Sequence, residues 1–344
     1  MNSKRILSGL VVHSLQSFEI RTLIVDSLVL RENPLGDKAE RRSPVLVPFE
    51  AAPRGGWPVV LVLSGFTGNG AKAFNTKFAE ESWPETLDKL VYEGSAPKAV
   101  YVFVDAMTFW GGSQFIDSDG LGRYATYITD ELVPEIRAGF SVAESADSWA
   151  IMGGSSGGYG ALHLTSLRPD IFGWCLAIAP DSFFDASLLN EIRTALPLIA
   201  KIGGVAAVRR ELEDGKLLRR KDWHVIVNAI AMGLAYAGDR SGTIRWPIDA
   251  ETGIVRQDIW AEWLEWDPMF FLRARSTGVK KLAGVYLDVG TRDQFHLQYG
   301  TRLIAGVLKD LKVNSEVREF DGTHFEIGER RPDALAWLVT QWRG

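Results

Sequence analysis

The residues best suited to chemistry lie in Trp149-Ala-Ile-Met-Gly153-Gly154-Ser155-Ser156-Gly157-Gly158-Tyr159-Gly160, where serines sit among glycines between an apolar run and an Ala/Leu-rich stretch. Gly154, Ser156 and Gly158 match G-x-S-x-G in strand–turn–helix context. A serine on a sharp turn of that kind exposes its hydroxyl at a helix N-terminus, where free N–H groups favour developing negative charge. Glycine two residues to either side avoids collision with neighbouring backbone. The Gly154/Gly158 frame selects Ser156 as nucleophile, with Ser155 the competing hydroxyl. A plain glycine-rich connection is the bland alternative. A nucleotide loop fits poorly, because there is no G-K-[ST] ending and the glycine spacing is not that of a dinucleotide loop.

A serine nucleophile needs a base, and the chain has five histidines: His13, His163, His224, His296 and His324. With the chain order Ser, Asp/Glu, His, the base belongs on a loop after the last strand, and His324 in Asp321-Gly-Thr-His324-Phe325 is the candidate. His163, two turns along the helix after the serines, reads as an interior or surface histidine. The acid belongs after the preceding strand, where Asp288 and Asp293 stand. Asp293 follows the turn at Gly290 and can reach across, whereas Asp288 is still within the strand. It would hold the imidazole in one tautomer without taking the proton. Oxyanion donors are expected at the N–H groups of Gly157, directly after Ser156, and of Phe66, in Leu63-Ser-Gly-Phe66-Thr-Gly-Asn-Gly70. Phe109, Trp110 and Gln114, after the fourth strand, are candidates to line a substrate pocket.

Positioning these groups requires an α/β architecture. Short apolar runs predict eight strands, at Arg21 to Leu30, Ser43 to Phe49, Pro58 to Leu63, Ala99 to Val104, Ser148 to Met152, Trp174 to Ile178, Leu282 to Val289 and Ser315 to Phe320. The first two alternate polar and apolar residues with no helix between them, which predicts an antiparallel edge on an otherwise parallel sheet. Flanking helices are predicted at Pro84 to Tyr92, Gly122 to Ala138, Gly157 to Leu167, Phe295 to Leu311 and Pro332 to Trp342. Between positions 186 and 272 about three helix-like stretches and no strand interrupt the rhythm. This predicts a helical cap inserted within a single domain, residues 1–344, over the carboxyl ends of the strands. Its aromatic stripe, Trp260, Trp263, Trp266, Phe270 and Phe271, reads as core.

Composition narrows the function classes. With 38 Lys and Arg against 43 Asp and Glu, the formal charge of −5 gives no electrostatic reason to bind nucleic acid or an anionic membrane. Hydrophobic residues make up 46% and charged residues 24%, as in a folded globular chain. The single cysteine, Cys175, excludes an internal disulfide framework and any Cys-rich metal site. The start of the chain, Met1 to Leu10, lacks the small-residue cleavage site of a secretory signal, and no apolar run reaches ~18 residues. A cytoplasmic protein with no metal, no organic cofactor, a small-molecule substrate and an open question of homo-oligomerisation is expected.

Taken together, Asn33-Pro-Leu-Gly-Asp37, Leu63-Ser-Gly-Phe66, Gly111-Gly-Ser-Gln-Phe-Ile-Asp-Ser118, Gly153 to Leu162, Asp288-Val-Gly-Thr-Arg-Asp293 and Gly322-Thr-His324 give the chain an ordered set of motifs that resembles the esterase D family of α/β-hydrolases. That family includes S-formylglutathione hydrolases, enterochelin-type esterases, feruloyl esterases and mycolyltransferases. The resemblance implies an α/β-hydrolase fold with Ser156, Asp293 and His324 as triad and Phe66 and Gly157 as oxyanion donors. The long 186–272 segment departs from the family pattern. The expected activity is carboxylic ester hydrolysis through an acyl-enzyme. An acyltransferase with the same triad and an alcohol or sugar acceptor, and a non-catalytic binding scaffold, are the alternatives.

Overall fold

The computed structural model describes residues 15–76, 78 and 80–343; the N-terminal segment considered above, with His13, lies outside them. Eight strands form one sheet: β1 (Phe18–Asp26), β2 (Glu40–Pro48), β3 (Val59–Leu63), β4 (Val100–Phe103), β5 (Trp149–Gly154), β6 (Trp174–Ile178), β7 (Gly284–Gly290) and β8 (Ser315–Phe320). Their order is β1-β2-β4-β3-β5-β6-β7-β8. β1 pairs antiparallel with β2, from Phe18 opposite Pro48 to Asp26 opposite Glu40, and β2 pairs antiparallel with β4. All other pairings are parallel. The chain thus has the α/β-hydrolase arrangement that its pattern predicts.

Burial explains the strands. β3 (Val-Val-Leu-Val-Leu) and β6 (Trp-Cys-Leu-Ala-Ile) are buried throughout because helices cover both faces. The edge strand β8 (Ser-Glu-Val-Arg-Glu-Phe) is half-buried to exposed, and its charges keep the free edge from pairing with another chain. Helices α1 (Trp83–Tyr92), α2 (Val133–Gly139), α3 (Ser156–Leu167), α4 (Leu188–Ile202), α5 (Val205–Glu213), α6 (Trp223–Ala237), α7 (Gln257–Leu264), α8 (Pro268–Ala274), α9 (Ser276–Val279), α10 (Leu297–Leu311) and α11 (Arg331–Arg343) complete the fold. The helix expected from Gly122 begins at Tyr124 and runs through wider π-type turns at Tyr127–Leu132 into α2. Those turns end just before Pro134, which has no N–H to give an α-type bond.

The 186–272 segment and the two residues after it hold five α-helices, α4 to α8, rather than about three, with a 3-10 turn at Leu217–Arg219 and isolated bridges between them. The Gly203–Gly204 pair, both at positive φ, separates α4 from α5. Side chains of this segment, such as Leu189, Ile226 and Trp263, belong to the same apolar core as Leu61 and Ile151 of the sheet. Trp260, Trp263 and Phe271 are buried, so most of the aromatic stripe is core, with Phe270 exposed. Chain direction reverses across the sheet at β3, between β4 and β5. In open α/β sheets ligands enter at such a point, beyond the carboxyl ends of the strands. No helix among the described residues is long and apolar enough to cross a membrane.

Candidate active site

The turn from β5 to α3 is centred on Ser155, not Ser156. Ser155 has φ 56° and ψ −125°, a conformation that L-residues rarely adopt, and Ser156 is already the first residue of the helix. Such a backbone stores ~1–3 kcal/mol and persists only where its surroundings impose it. The glycines that permit it are Gly153 and Gly157, two residues to either side of Ser155. A Cβ on Gly153 would lie 2.3 Å from the carbonyl carbon of Gly157, and one on Gly157 would lie 2.5 Å from the Leu63 carbonyl oxygen. Gly154, by contrast, faces the end of the flexible Ile327 side chain at 3.2 Å, and the nearest atom to a Cβ on Gly158 is at 3.1 Å. The elbow glycines expected at 154 and 158 are therefore corrected to 153 and 157. Gly157→Ala should lower the melting temperature by an amount matching ~3 kcal/mol, the upper end for overpacking, with Gly154→Ala much milder. Thermal unfolding of the two variants checks this.

The imidazole of His324 meets Ser155. Its Nε2 lies 3.0 Å from Ser155 Oγ, and its Nδ1 lies 2.7 Å from Asp293 Oδ2. Ser156, the serine expected from the motif, instead donates its hydroxyl to Asp181 Oδ2 at 2.8 Å, so the imidazole meets its neighbour and not it. Asp293 and His324 sit on adjacent loops after β7 and β8, stitched together by the Arg292 N–H donating to the Gly322 carbonyl at 2.9 Å. Asp293 is buried, and its Oδ1 accepts the Phe295 N–H at 2.9 Å, which fixes the carboxylate plane. The Phe295 ring meets the imidazole edge-on at 4.8 Å, and the His324 N–H donates to Gln294 Oε1. Asp288 faces the other way, accepting from Tyr286 Oη and Arg330 Nε, each at 2.9 Å. His163 is buried against Tyr159 and Arg275, and its burial lowers the imidazole's affinity for a proton.

Phe66 and Ser156 line the cleft together with Ser155, and each has a backbone N–H to offer. In the loop after β3, the Thr67 N–H is bonded to the Gly111 carbonyl and the Gly68 N–H to the Gly65 carbonyl, while the Phe66 N–H has no acceptor among the described residues. The second donor moves by one residue with the elbow. The amide directly after Ser155 is that of Ser156, in the first turn of α3, where N–H groups have no intrahelical acceptor. The Gly157 N–H expected in that place lies one residue further along the helix.

The hydroxyl opens into a cleft of about 260 Å³. One wall is polar, with Asp181, Glu191, His224 and Asn228; another is apolar, with Phe295, Leu297, Phe325 and Ile327. Glu191 accepts a hydrogen bond from the Asn228 amide, and burial pushes its carboxyl up to about 7. Burial also holds the His224 imidazole below its ordinary value. Phe109 and Trp110 do not line this cleft. Trp110 is buried against Phe109, and Phe109 lies under the Arg209 guanidinium at 4.4 Å, so both are structural. Gln114 does reach the site, but through Asp181, to which its amide donates at 3.1 Å.

Sequence reasoning passed over Asp181, Glu191, His224 and Asn228. Asp181 stands three residues beyond the end of β6, and a carboxylate at a strand's carboxyl end is a readable signal in this architecture. The other three come from α4 and α6, whose inward faces give no sign of what they enclose. Among the described residues no cluster of His, Cys, Asp and Glu is arranged to hold a metal ion.

The chain matches the model of the Esterase family, described as "Putative esterase", over residues 38–326. No curated protein matches it in sequence. Among solved structures, a ferulic acid esterase superposes with a TM-score of 0.59 at 18% identity, covering 96% of this chain and 100% of that one. An S-formylglutathione hydrolase from Staphylococcus aureus gives 0.57 at 12% identity, covering 94% and 100%. One from Agrobacterium tumefaciens gives 0.53 at 18% identity, covering 96% and 98%. At these identities the likeness is one of fold.

Proposed function

The chain belongs to the esterase family, and from that premise we propose that it is a serine carboxylic ester hydrolase working through an acyl-enzyme, with Ser155, His324 and Asp293 as its triad. The observation that carries the reading is the hydrogen-bonded run from Asp293 through His324 to Ser155, 2.7 and 3.0 Å long, ending on the strained elbow.

In the proposed reaction, Ser155 Oγ attacks the ester carbonyl while His324 Nε2 takes its proton, and the carbonyl electron pair moves onto oxygen. The oxyanion sits between the N–H groups of Phe66 and Ser156, donors worth ~3 kcal/mol each in the transition state. Asp293, bonded to Nδ1, keeps the neutral imidazole in the tautomer with its lone pair on Nε2 and stabilises the imidazolium that forms. The imidazolium then protonates the leaving alcohol, and water, deprotonated in turn by His324, releases the acid. Every group comes from the chain itself.

The 186–272 segment acts in this reading as a cap within one domain, supplying Leu188, Glu191, His224 and Asn228 to the cleft. A cytoplasmic setting is part of the proposal, supported by a lone buried cysteine, Cys175. A cleft of about 260 Å³ is small against the ~300–1,000 Å³ of drug-sized sites, which favours small esters. Steady-state kinetics on p-nitrophenyl esters test the proposal. Acetate and butyrate should be turned over, with kcat/KM dropping at least ~10-fold by decanoate, since a longer chain cannot be enclosed. No turnover above a heat-denatured control speaks against the hydrolase, and a rate rising to decanoate against the small cleft.

A further inference from the structure

A second carboxyl group, besides that of Asp293, belongs to the site, and it touches Ser155 Oγ directly alongside His324. Beyond β6 the chain turns through Ala179, at positive φ, and Pro180, bringing Asp181 over the elbow. Its two oxygens are used differently. Oδ2 accepts twice, from Ser156 Oγ at 2.8 Å and from Gln114 Nε2 at 3.1 Å. Oδ1 faces Ser155 Oγ alone, at 3.2 Å. Gln114 is itself held at positive φ, with its amide also in reach of Tyr236 Oη at 3.1 Å, so backbone strain on two separate loops converges on this one carboxyl.

The Ser155 hydroxyl has one proton and two neighbours that could accept it, Asp181 Oδ1 and His324 Nε2. If Asp181 is ionised, its carboxylate is the stronger acceptor and draws the proton away from the base. It also sets a negative charge 3.2 Å from the oxygen that must gain electron density during attack. If Asp181 is protonated, Oδ2 already accepts from Gln114 and Ser156, which leaves Oδ1, whose neighbour is Ser155 Oγ, as the better seat for the proton. The serine proton is then directed to His324.

We propose that Asp181 works as a neutral acid, a positioning residue whose proton on Oδ1 is donated to Ser155 Oγ and so aims the serine's own proton at His324. The inference rests on Ser155 being the nucleophile. During attack the Ser155 O–H bond breaks, its proton passes to His324 Nε2, the Oγ–C bond forms, and the Asp181 proton stays in place. The surroundings agree. Burial raises the carboxyl's affinity for its proton, and no Lys or Arg pairs with Asp181 among the described residues. The titratable groups around it are His324 from the loop after β8, Glu191 from α4, Tyr236 from α6 and Tyr159 from α3, with His224 of α6 and Arg331 of α11 lining the same cleft. Arg331 is cationic and the two histidines can be, but none of the three is hydrogen-bonded to Asp181 among the described residues, and His324 is neutral when it serves as base.

The sign follows directly. Activity needs Asp181 protonated, so kcat/KM should fall on the alkaline side as Asp181 ionises. The test compares pH profiles of wild type, Asp181→Asn and Asp181→Ala on p-nitrophenyl acetate, with melting temperatures of all three. Asparagine is a permanently neutral donor to Ser155. The alkaline limb should therefore move up by at least ~1 pH unit in Asp181→Asn, which should also keep at least ~10-fold more kcat than Asp181→Ala. A wild-type profile with no alkaline fall below about pH 9 overturns the proposal, since buried carboxyls are raised by ~3–5 units at most. So does an Asp181→Asn limb coincident with wild type, or equal losses in both variants at unchanged melting temperature. Ser155→Ala, run alongside, separates the two claims. If it still turns over the ester, the nucleophile reading fails; if it is inactive while the Asp181 limb stays put, only the role of Asp181 fails.

Discussion

Replacing Ser155 by alanine is expected to lower kcat on p-nitrophenyl acetate by at least ~10³-fold with no loss of fold, whereas Ser156→Ala should cost no more than about tenfold. The asymmetry follows from the two hydroxyls. Ser155 Oγ is the oxygen within reach of His324 Nε2, and without it the base has nothing to deprotonate but water. Residual hydrolysis would then come from substrate binding and the oxyanion donors alone. The Ser156 side chain makes one hydrogen bond, to Asp181, and its contribution to the oxyanion is an amide that alanine also carries. Alanine should also relieve strain at position 155 little, because the backbone there is imposed by the close approach of Gly153 and Gly157. Similar melting temperatures, measured beside the kinetics, would show that the loss is chemical. Near-normal turnover in Ser155→Ala with collapse in Ser156→Ala would reverse the assignment.

Asp293→Asn should cost nearly as much, ~10³- to 10⁴-fold in kcat, although it removes only one atom's worth of charge. A carboxylate beside Nδ1 accepts a hydrogen bond from the Nδ1–H, which keeps the proton on that nitrogen and leaves Nε2 free to act as base. An amide can donate to Nδ1 instead, turning the imidazole into the tautomer with its proton facing Ser155. It also withdraws the negative charge, 2.7 Å away, that stabilises the imidazolium. Because Ser155, His324 and Asp293 act as a unit, Asp293→Asn added to Ser155→Ala should cost almost nothing further. Kinetics on the two single variants and the double variant check this. Additive losses in the double variant would mean that Asp293 acts outside the Ser155–His324 pair.

How much of this was legible in the sequence depended on whether a feature is local. β6 and β8 have the bounds expected from their apolar and alternating runs, because flanking turns and polar residues mark where they end. The antiparallel edge followed from alternation and the missing crossover helix. Asp293 and His324 were nominated by chain order, since the topology fixes which loops stand beside the elbow. The choice between Ser155 and Ser156 was not decidable that way. Gly153/Gly157 and Gly154/Gly158 are overlapping frames of identical spacing, and what separates them is which glycine Cα atoms face backbone too closely for a Cβ. That is a three-dimensional fact. The oxyanion donor and the elbow glycines were displaced with the serine for the same reason. Phe109 and Trp110 follow a strand whose carboxyl end borders the crevice, yet packing turned both inward against Arg209 and the core.

The most direct measurement is the site of covalent capture by a fluorophosphonate. Incubation of the full chain with the probe, digestion and tandem mass spectrometry of the peptide spanning the two serines locates the adduct on one oxygen. The account predicts a single adduct on Ser155, formed at a rate that falls sharply in His324→Ala. An adduct on Ser156, or none on either serine while ester turnover persists, would contradict it.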